Sequence, residues 1–212
     1  MKLRTFQKIE KKLFDEGYKL IAGVDEAGRG PLAGPVVAAA VIFDQNTFIR
    51  GIDDSKKLNQ KEREALEEEI KAKALAYSIS VVDVKSIDKS NILLASLEAM
   101  KKSIMSLSVT PDFVLIDGKF SPELPYKNSA IIKGDSKCFS IAAASILAKT
   151  FRDRLMQEYS EKYPQYKFHK HKGYPTQEHI EAILKYGPCE IHRKKFLRKI
   201  YERRIIQQEF EF

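Results

Sequence analysis

Apolar positions along the chain fall into two alternating patterns, short continuous runs and helical periodicities. Phe6, Ile9 and Leu13 recur at helical spacing among Lys and Glu and predict an amphipathic helix over 3–16. Leu20-Ile21-Ala22 and then Val36 to Phe43 predict strands over about 20–25 and 36–43. A Gly- and Pro-rich turn joins them as a hairpin. Asn59 with Glu62 three residues on reads as a capping box, opening a helix that runs to about Ala74. Tyr77 to Val84 alternates as a half-buried strand does. Ser90 or Asn91 opens a helix whose apolar face carries Ile92, Leu93, Leu97, Met100, Ile104 and Leu107, and Thr110-Pro111-Asp112 closes it. Phe113-Val114-Leu115-Ile116 reads as a fully buried strand, and Ala130-Ile131-Ile132 as a short last one. A long helix follows from Ser140 to Tyr159, where Ala142, Ala143 and Ala144 permit close packing on a sheet. Pro164 breaks the pattern. Thr176 caps a helix over 177–185, Gly187-Pro188 breaks again, and Arg193 to Gln208 forms a basic amphipathic helix. The organisation is a mixed α/β core over 1–160 and a helical C-terminal extension over 161–212.

Composition narrows the class. Hydrophobic residues at 43% and charged residues at 31% of 212 describe a globular chain, not a disordered one. A net charge of +8 favours a polyanionic partner such as nucleic acid. Cys138 and Cys189 are too few for a disulfide framework and are not spaced for a metal, so reduced cytosolic thiols are expected. Met1 to Lys12 lacks the apolar centre of a signal peptide, and Ala33 to Phe43 is too short to span a bilayer. The expectation is a cytoplasmic monomer with no membrane association.

Candidate chemistry sits at strand ends. Asp25 and Glu26 end the first strand, Asp117 ends the Phe113–Ile116 strand, and Asp135 follows the Ile131–Ile132 strand. Adjacent strands would bring four carboxylates together, and their mutual repulsion calls for divalent cations. Oxygen ligands without a Cys/His cluster suit Mg²⁺ or Mn²⁺. Two such ions are the usual device for phosphodiester hydrolysis. The plainer alternative for Asp117-Gly118 is a turn pair; nothing in a simple hairpin asks for the Asp25-Glu26 pair. Gly28-Arg29-Gly30-Pro31 lacks dinucleotide-loop spacing, and a strand rather than a helix follows it. Its glycines allow close backbone approach to a ligand, and Arg29 could grip a phosphate, against the simpler reading of a tight turn with an exposed Arg.

Val24-Asp25-Glu26-Ala27-Gly28-Arg29-Gly30-Pro31-Leu32-Ala33-Gly34-Pro35 resembles the signature of bacterial type 2 ribonuclease H (ribonuclease HII). In the same order, Asp54-Ser55-Lys56-Lys57-Leu58, Ile116-Asp117-Gly118, Lys133-Gly134-Asp135-Ser136, the Ser140–Lys149 stretch and His171-Lys172-Gly173-Tyr174 extend the resemblance over about 18–185. It implies a ribonuclease H-like fold, a five-stranded mixed sheet flanked by helices with a helical C-terminal extension. It implies an endonuclease acting on the RNA strand of RNA–DNA hybrids. Cutting 5′ to single ribonucleotides in duplex DNA, leaving 3′-hydroxyl and 5′-phosphate ends, is implied as well.

By the same resemblance, Asp25, Glu26, Asp117 and Asp135 hold two Mg²⁺ or Mn²⁺ ions. Gly28, Arg29 and Gly30 sense the ribose 2′-hydroxyl, Tyr174 packs on the sugar at the RNA-to-DNA junction, and Lys56 or Lys57 contacts phosphate. Pro175 stands where the family more often has Gly, which implies a stiffer Tyr174 loop. Asp153 is a second candidate for the fourth acidic position, though a second supporting layer or a solvated helix carboxylate are its alternatives. His169, His171 and His179 are expected on the surface. Arg193 to Lys199 either tracks the phosphate backbone or is a solvated helix face. Gln207-Gln208-Glu209-Phe210-Glu211-Phe212 has the cast of a sliding-clamp-binding peptide. The competing class is a non-catalytic nucleic-acid-binding module on the same fold, which has no use for four carboxylates where phosphates must pass. A type 3 ribonuclease H is disfavoured by the Gly-Arg-Gly turn and by the lack of a long N-terminal domain.

Overall fold

A computed structural model describes residues 8–52 and 58–209. Five strands form one mixed sheet: β1 (Ile21–Ala27), β2 (Val36–Ile42), β3 (Ala76–Val82), β4 (Phe113–Asp117) and β5 (Lys127–Ile131). Their order is β3-β2-β1-β4-β5. β1 pairs antiparallel with β2, and β2 with β3, so the expected hairpin forms. β4 lies parallel to β1, and β5 parallel to β4. The helices are α1 (Lys8–Asp15), α2 (Gln60–Lys73), α3 (Val84–Lys89), α4 (Ile92–Met105), α5 (Phe139–Lys162), α6 (Phe168–His171), α7 (Gln177–Tyr186) and α8 (Lys194–Glu209).

β2 is apolar on both faces because both are covered. Val36, Ala38, Ala40 and Ile42 face a core shared with Ala95, Ala99, Met100 and Ile104 of α4. Val37, Ala39 and Val41 face a second core with Ala143, Ala144 and Leu147 of α5 and with Leu66 and Ile70 of α2. The alanines of α5 allow tight packing, and Gly23 of β1 allows more: a Cβ there would lie 2.2 Å from the Ser140 carbonyl carbon. The N-terminus of α5 is closed by a residue far away in sequence. Glu10 of α1, buried, accepts hydrogen bonds through Oε1 from the Ser140 N–H (3.1 Å) and hydroxyl (3.0 Å).

Several boundaries differ from the sequence pattern; β1 runs on through Ala27, so that Asp25 and Glu26 are still paired with β2 rather than lying beyond the strand. β3 ends at Val82, not Val84, because Asp83 caps α3, its side chain accepting from the Ser86 N–H at 2.8 Å. β5 starts three residues before Ala130, with a polar, partly exposed stretch. Beyond Pro164 the chain folds back. Met156 of α5, Tyr166, Phe168, Ala182, Ile183, Ile191 and Leu197 form a third core with Leu32 and Ala33 of the β1–β2 turn. Among the described residues no helix is long and apolar enough to cross a membrane.

Candidate metal centre

Parallel pairing of β1 and β4 sets Val24 opposite Ile116. The next residue on each strand is Asp25 and Asp117, so two carboxylates leave the same end of the sheet side by side. Glu26 joins them. One ligand oxygen from each of Asp25, Glu26 and Asp117 lies within 4.8 Å of the others.

Each carboxylate is held by its own surroundings. Asp25 Oδ1 accepts from the Glu26 N–H at 2.7 Å, and the Ser145 hydroxyl of α5 donates to the same side chain. Asp117 Oδ1 accepts from the Gly134 N–H at 2.6 Å. Gly134 sits close under this contact: a Cβ there would meet Ile141 Cδ1 at 2.6 Å and Asp117 Oδ1 at 3.2 Å, so a larger residue would push on the ligand itself. Glu26 Oε1 accepts from Arg29 Nη1 at 3.0 Å, while Glu26 Oε2 is buried with no hydrogen-bond partner. Burial pushes the Asp25 carboxyl well above the usual range, and the Glu26 and Asp117 charges push it further. Burial also raises Glu26, against the opposing pull of Arg29. A protein that gathers three carboxylates, Asp25 buried and Glu26 and Asp117 partly so, one of them with an unpartnered buried oxygen, is built to receive positive charge there. The all-oxygen donor set fits a hard divalent ion.

Asp135 is buried in a 3₁₀ turn, Gly134–Ser136, one residue beyond the amide that holds Asp117. Its oxygens are not in the 4.8 Å group. Asp153, the alternative fourth acid, is engaged elsewhere: it pairs with Arg63 Nη2 at 3.1 Å and with Lys149 Nζ at 2.6 Å.

Beside the carboxylates, the turn from Gly28 to Pro35 is held from behind by two buried guanidinium groups. Arg193 donates through Nε to the Gly34 carbonyl (2.9 Å) and through Nη1 to Arg29 (3.1 Å) and Pro31 (2.9 Å). Its Nη2 donates to Gly28 (2.6 Å) and Gly34 (2.7 Å). Arg152 donates to the carbonyls of Pro35, Ala33 and Lys172. Burial lowers these guanidinium groups to about 9 for Arg193 and about 10 for Arg152, so both stay charged at neutral pH. Gly28, at φ +99°, could carry no side chain: a Cβ would sit 2.2 Å from Arg152 Nε. Sequence reasoning set Arg193 at the head of a phosphate-tracking or solvated helix. The structure corrects this: Arg193 is fully buried, and its charge is spent on the turn. Arg29 keeps a half-exposed side chain, tied at one end to Glu26.

The same turn meets the Tyr174 loop. Leu32 N–H donates to the Gly173 carbonyl at 2.8 Å, and the exposed Tyr174 ring lies 3.5 Å from where a Gly30 Cβ would stand. Acidic cluster, Gly-Arg-Gly turn and tyrosine therefore line up on one edge of the molecule. His171 and His179, expected at the surface, are instead buried with His192 in the third core, where Phe168 and Tyr166 pack on their rings; His169 is exposed as expected. No local signal marks Arg193 for burial, since the carbonyls that receive it lie 158 to 165 positions earlier. Lys56 and Lys57 lie outside the described residues.

The model of the family described as Ribonuclease HII matches residues 22–201. A protein named Ribonuclease HII from Caldicellulosiruptor bescii is 59% identical over 196 residues, 92% of this chain and 95% of that protein. Among solved structures, the ribonuclease H2 of Pyrococcus horikoshii OT3 superposes with a TM-score of 0.74 at 30% identity, covering 87% of this chain and 98% of that one. Ribonuclease HII in a complex with PCNA from Archaeoglobus fulgidus superposes at 0.70 and 28% identity, covering 83% and 93%. The fold, the acidic cluster at the ends of β1 and β4 and these matches converge, and the chain belongs to the ribonuclease HII family of metal-dependent endoribonucleases.

Proposed function

We propose that this endonuclease cuts the RNA strand of RNA–DNA hybrids and also cuts 5′ to single ribonucleotides embedded in duplex DNA. The observation that carries the reading is the convergence of Asp25, Glu26 and Asp117 beside a glycine turn with no room for side chains at Gly28. Asp135, on the turn that anchors Asp117, completes the acidic set. Two Mg²⁺ or Mn²⁺ ions held by these carboxylates would supply charge neutralisation and a nucleophile active at neutral pH.

The chain's own part is positional. Ser145 and the Glu26 N–H hold Asp25, and Gly134 holds Asp117, so the ligand oxygens are set before substrate arrives. The Arg29–Gly30 backbone lies against the ribose, whose 2′-hydroxyl separates RNA from DNA. Tyr174 offers a flat face to the neighbouring sugar, and Lys56 or Lys57 takes a phosphate. Water attacks the phosphorus, the bond to the 3′-oxygen breaks, and the products carry 5′-phosphate and 3′-hydroxyl ends. The PCNA complex of the Archaeoglobus relative supports extending clamp binding to this chain through Gln207–Phe212, whose side chains all lie outside the described ones.

The test is incubation with labelled duplex DNA carrying one ribonucleotide, and with a uniform hybrid, in Mg²⁺, Mn²⁺ or chelator. A single metal-dependent nick 5′ to the ribonucleotide is expected. Cleavage of the hybrid alone would remove the single-ribonucleotide activity, and binding without any nick would favour the non-catalytic module.

A further inference from the structure

The buried histidines form a directed relay that ends on the Tyr174 backbone. Tyr174's carbonyl can only accept, so His179 Nδ1, 2.9 Å away, carries a proton and donates it. Neutral His179 then accepts at Nε2, 3.1 Å from His192 Nε2, which must donate. His192 Nδ1 is left to accept from the Cys189 N–H at 2.9 Å. One tautomer at each ring satisfies the whole chain. The loop is held on its other side too: His171 Nδ1 accepts from the Gly173 N–H at 3.2 Å, its Nε2 donates to the Tyr166 carbonyl, and its ring stacks on His179 at 4.4 Å. His179 and His192 are lowered by burial to about 4, so the relay stays neutral near pH 7.

We propose that His179 is a positioning residue that fixes the Tyr174 carbonyl, and through it the ring, for single-ribonucleotide junctions. The inference rests on the sugar-packing role given to Tyr174 above. Tyr174 is half exposed, and its ring lies beside Gly30 on the solvent side of the turn, so its backbone is its main anchor to the fold. Its direction is therefore set by its backbone, and misplacement of a packing group by about 1 Å costs up to roughly a hundredfold in rate.

Two amides separate positioning from mere stability. In His179→Asn the amide nitrogen stands at the Nδ1 position and keeps the donation to Tyr174. In His179→Gln the amide reaches the Nε2 position, satisfies His192 and leaves the Tyr174 carbonyl with the Thr176 N–H, 2.8 Å away, but without the side-chain donor that ties it to α7. Each loses one buried hydrogen bond, so similar losses of thermal stability are expected. The readout is kcat/KM on a single-ribonucleotide duplex divided by kcat/KM on a uniform hybrid. His179→Gln should lower that ratio about tenfold, while His179→Asn should hold it within about threefold. In a Tyr174→Ala background His179→Gln should change the ratio no further. Equal ratios for the two variants would overturn the proposal. If Tyr174→Ala alone leaves the ratio unchanged, the sugar-packing role fails and the inference fails with it. If it lowers the ratio and His179→Gln does not, only the inference fails. Should the variants not fold, nitrogen NMR of the wild-type protein decides: the Nδ1–H tautomer at His179 is required, and Nε2–H refutes it.

Discussion

Asp117→Asn should make the protein more stable without metal and less able to use it. The substitution keeps an oxygen for the Gly134 N–H and removes one of three charges whose oxygens lie within 4.8 Å. At an effective dielectric of about 20, one pair of unit charges at that separation repels by about 3.5 kcal/mol. Asp117 faces two such neighbours. Burial first and like charge second raise the Asp25 and Glu26 carboxyls, and Arg29 offsets part of the charge, so the recoverable gain is smaller than the bare Coulomb sum, about 1–3 kcal/mol. For a chain of this size that corresponds to roughly 2–12 °C in Tm. Thermal unfolding is followed in chelator and across a Mg²⁺ or Mn²⁺ titration, alongside the nicking assay. In chelator the variant should melt above the wild type. With metal the wild type should climb and overtake it, since binding to the folded state alone stabilises by mass action. Cleavage should be lost while duplex binding persists. A variant that melts below the wild type in chelator, or climbs as steeply with metal, would refute the electrostatic account.

Acid should weaken the buried histidine pair. His179 and His192 are lowered to about 4 from an ordinary 6.5, so their contribution is intact above pH 6.5 and is lost as pH falls toward 4, by up to about 3 kcal/mol each. Glu10, Asp25 and Glu26 are raised and act in the opposite sense, so the histidine share is read by difference: between pH 6.5 and 4 the urea midpoint of a His179→Gln, His192→Gln variant should fall less than that of the wild type, and parallel curves would refute it. Arg193→Lys keeps the charge but replaces three donor nitrogens serving several carbonyls by one, and should cost about 3 kcal/mol or more in urea unfolding, with reduced cleavage; an unchanged midpoint would show that the turn stands alone. Gly23→Ala should cost roughly 3 kcal/mol, because its methyl meets helix backbone, which has no rotamer to yield; a midpoint close to the wild type would mean that α5 shifts freely.

Local chemistry was legible and distant chemistry was not. The Asn59 capping box, the Asn91 cap and the Thr176 cap are each written within four residues, and all three form. The acidic ends of β1 and β4 were legible because a carboxylate after an apolar run is conspicuous. The first half of β5 hid because Lys127-Asn128-Ser129 forms one edge of the sheet and carries no apolar alternation. Arg193 misled for a related reason. It opens a basic helix, and its charge is visible in sequence, whereas the carbonyls that receive it lie 158 to 165 positions earlier. The histidines looked like surface residues because their ring-to-ring contacts, and the burial that goes with them, exist only once α7 and the Cys189–His192 segment close on α6, although each also has a hydrogen-bond partner within five residues.

The carbonyls taken by Arg193 also orient the opposite ends of their peptides. In a trans peptide the C=O and the following N–H point in opposite directions. With the Gly28 and Arg29 oxygens drawn inward to one buried cation, the amide hydrogens of Arg29 and Gly30 are turned outward. Pro31 adds no hydrogen of its own. The rim of the turn is thereby polarised, with a full positive charge at its back and donors at its front, next to a floor of carboxylate oxygens. A sugar hydroxyl arriving between them would meet hydrogens on one side and oxygens on the other. It could accept from the turn while donating toward the acids, a pairing that a bare C2′ methylene cannot make.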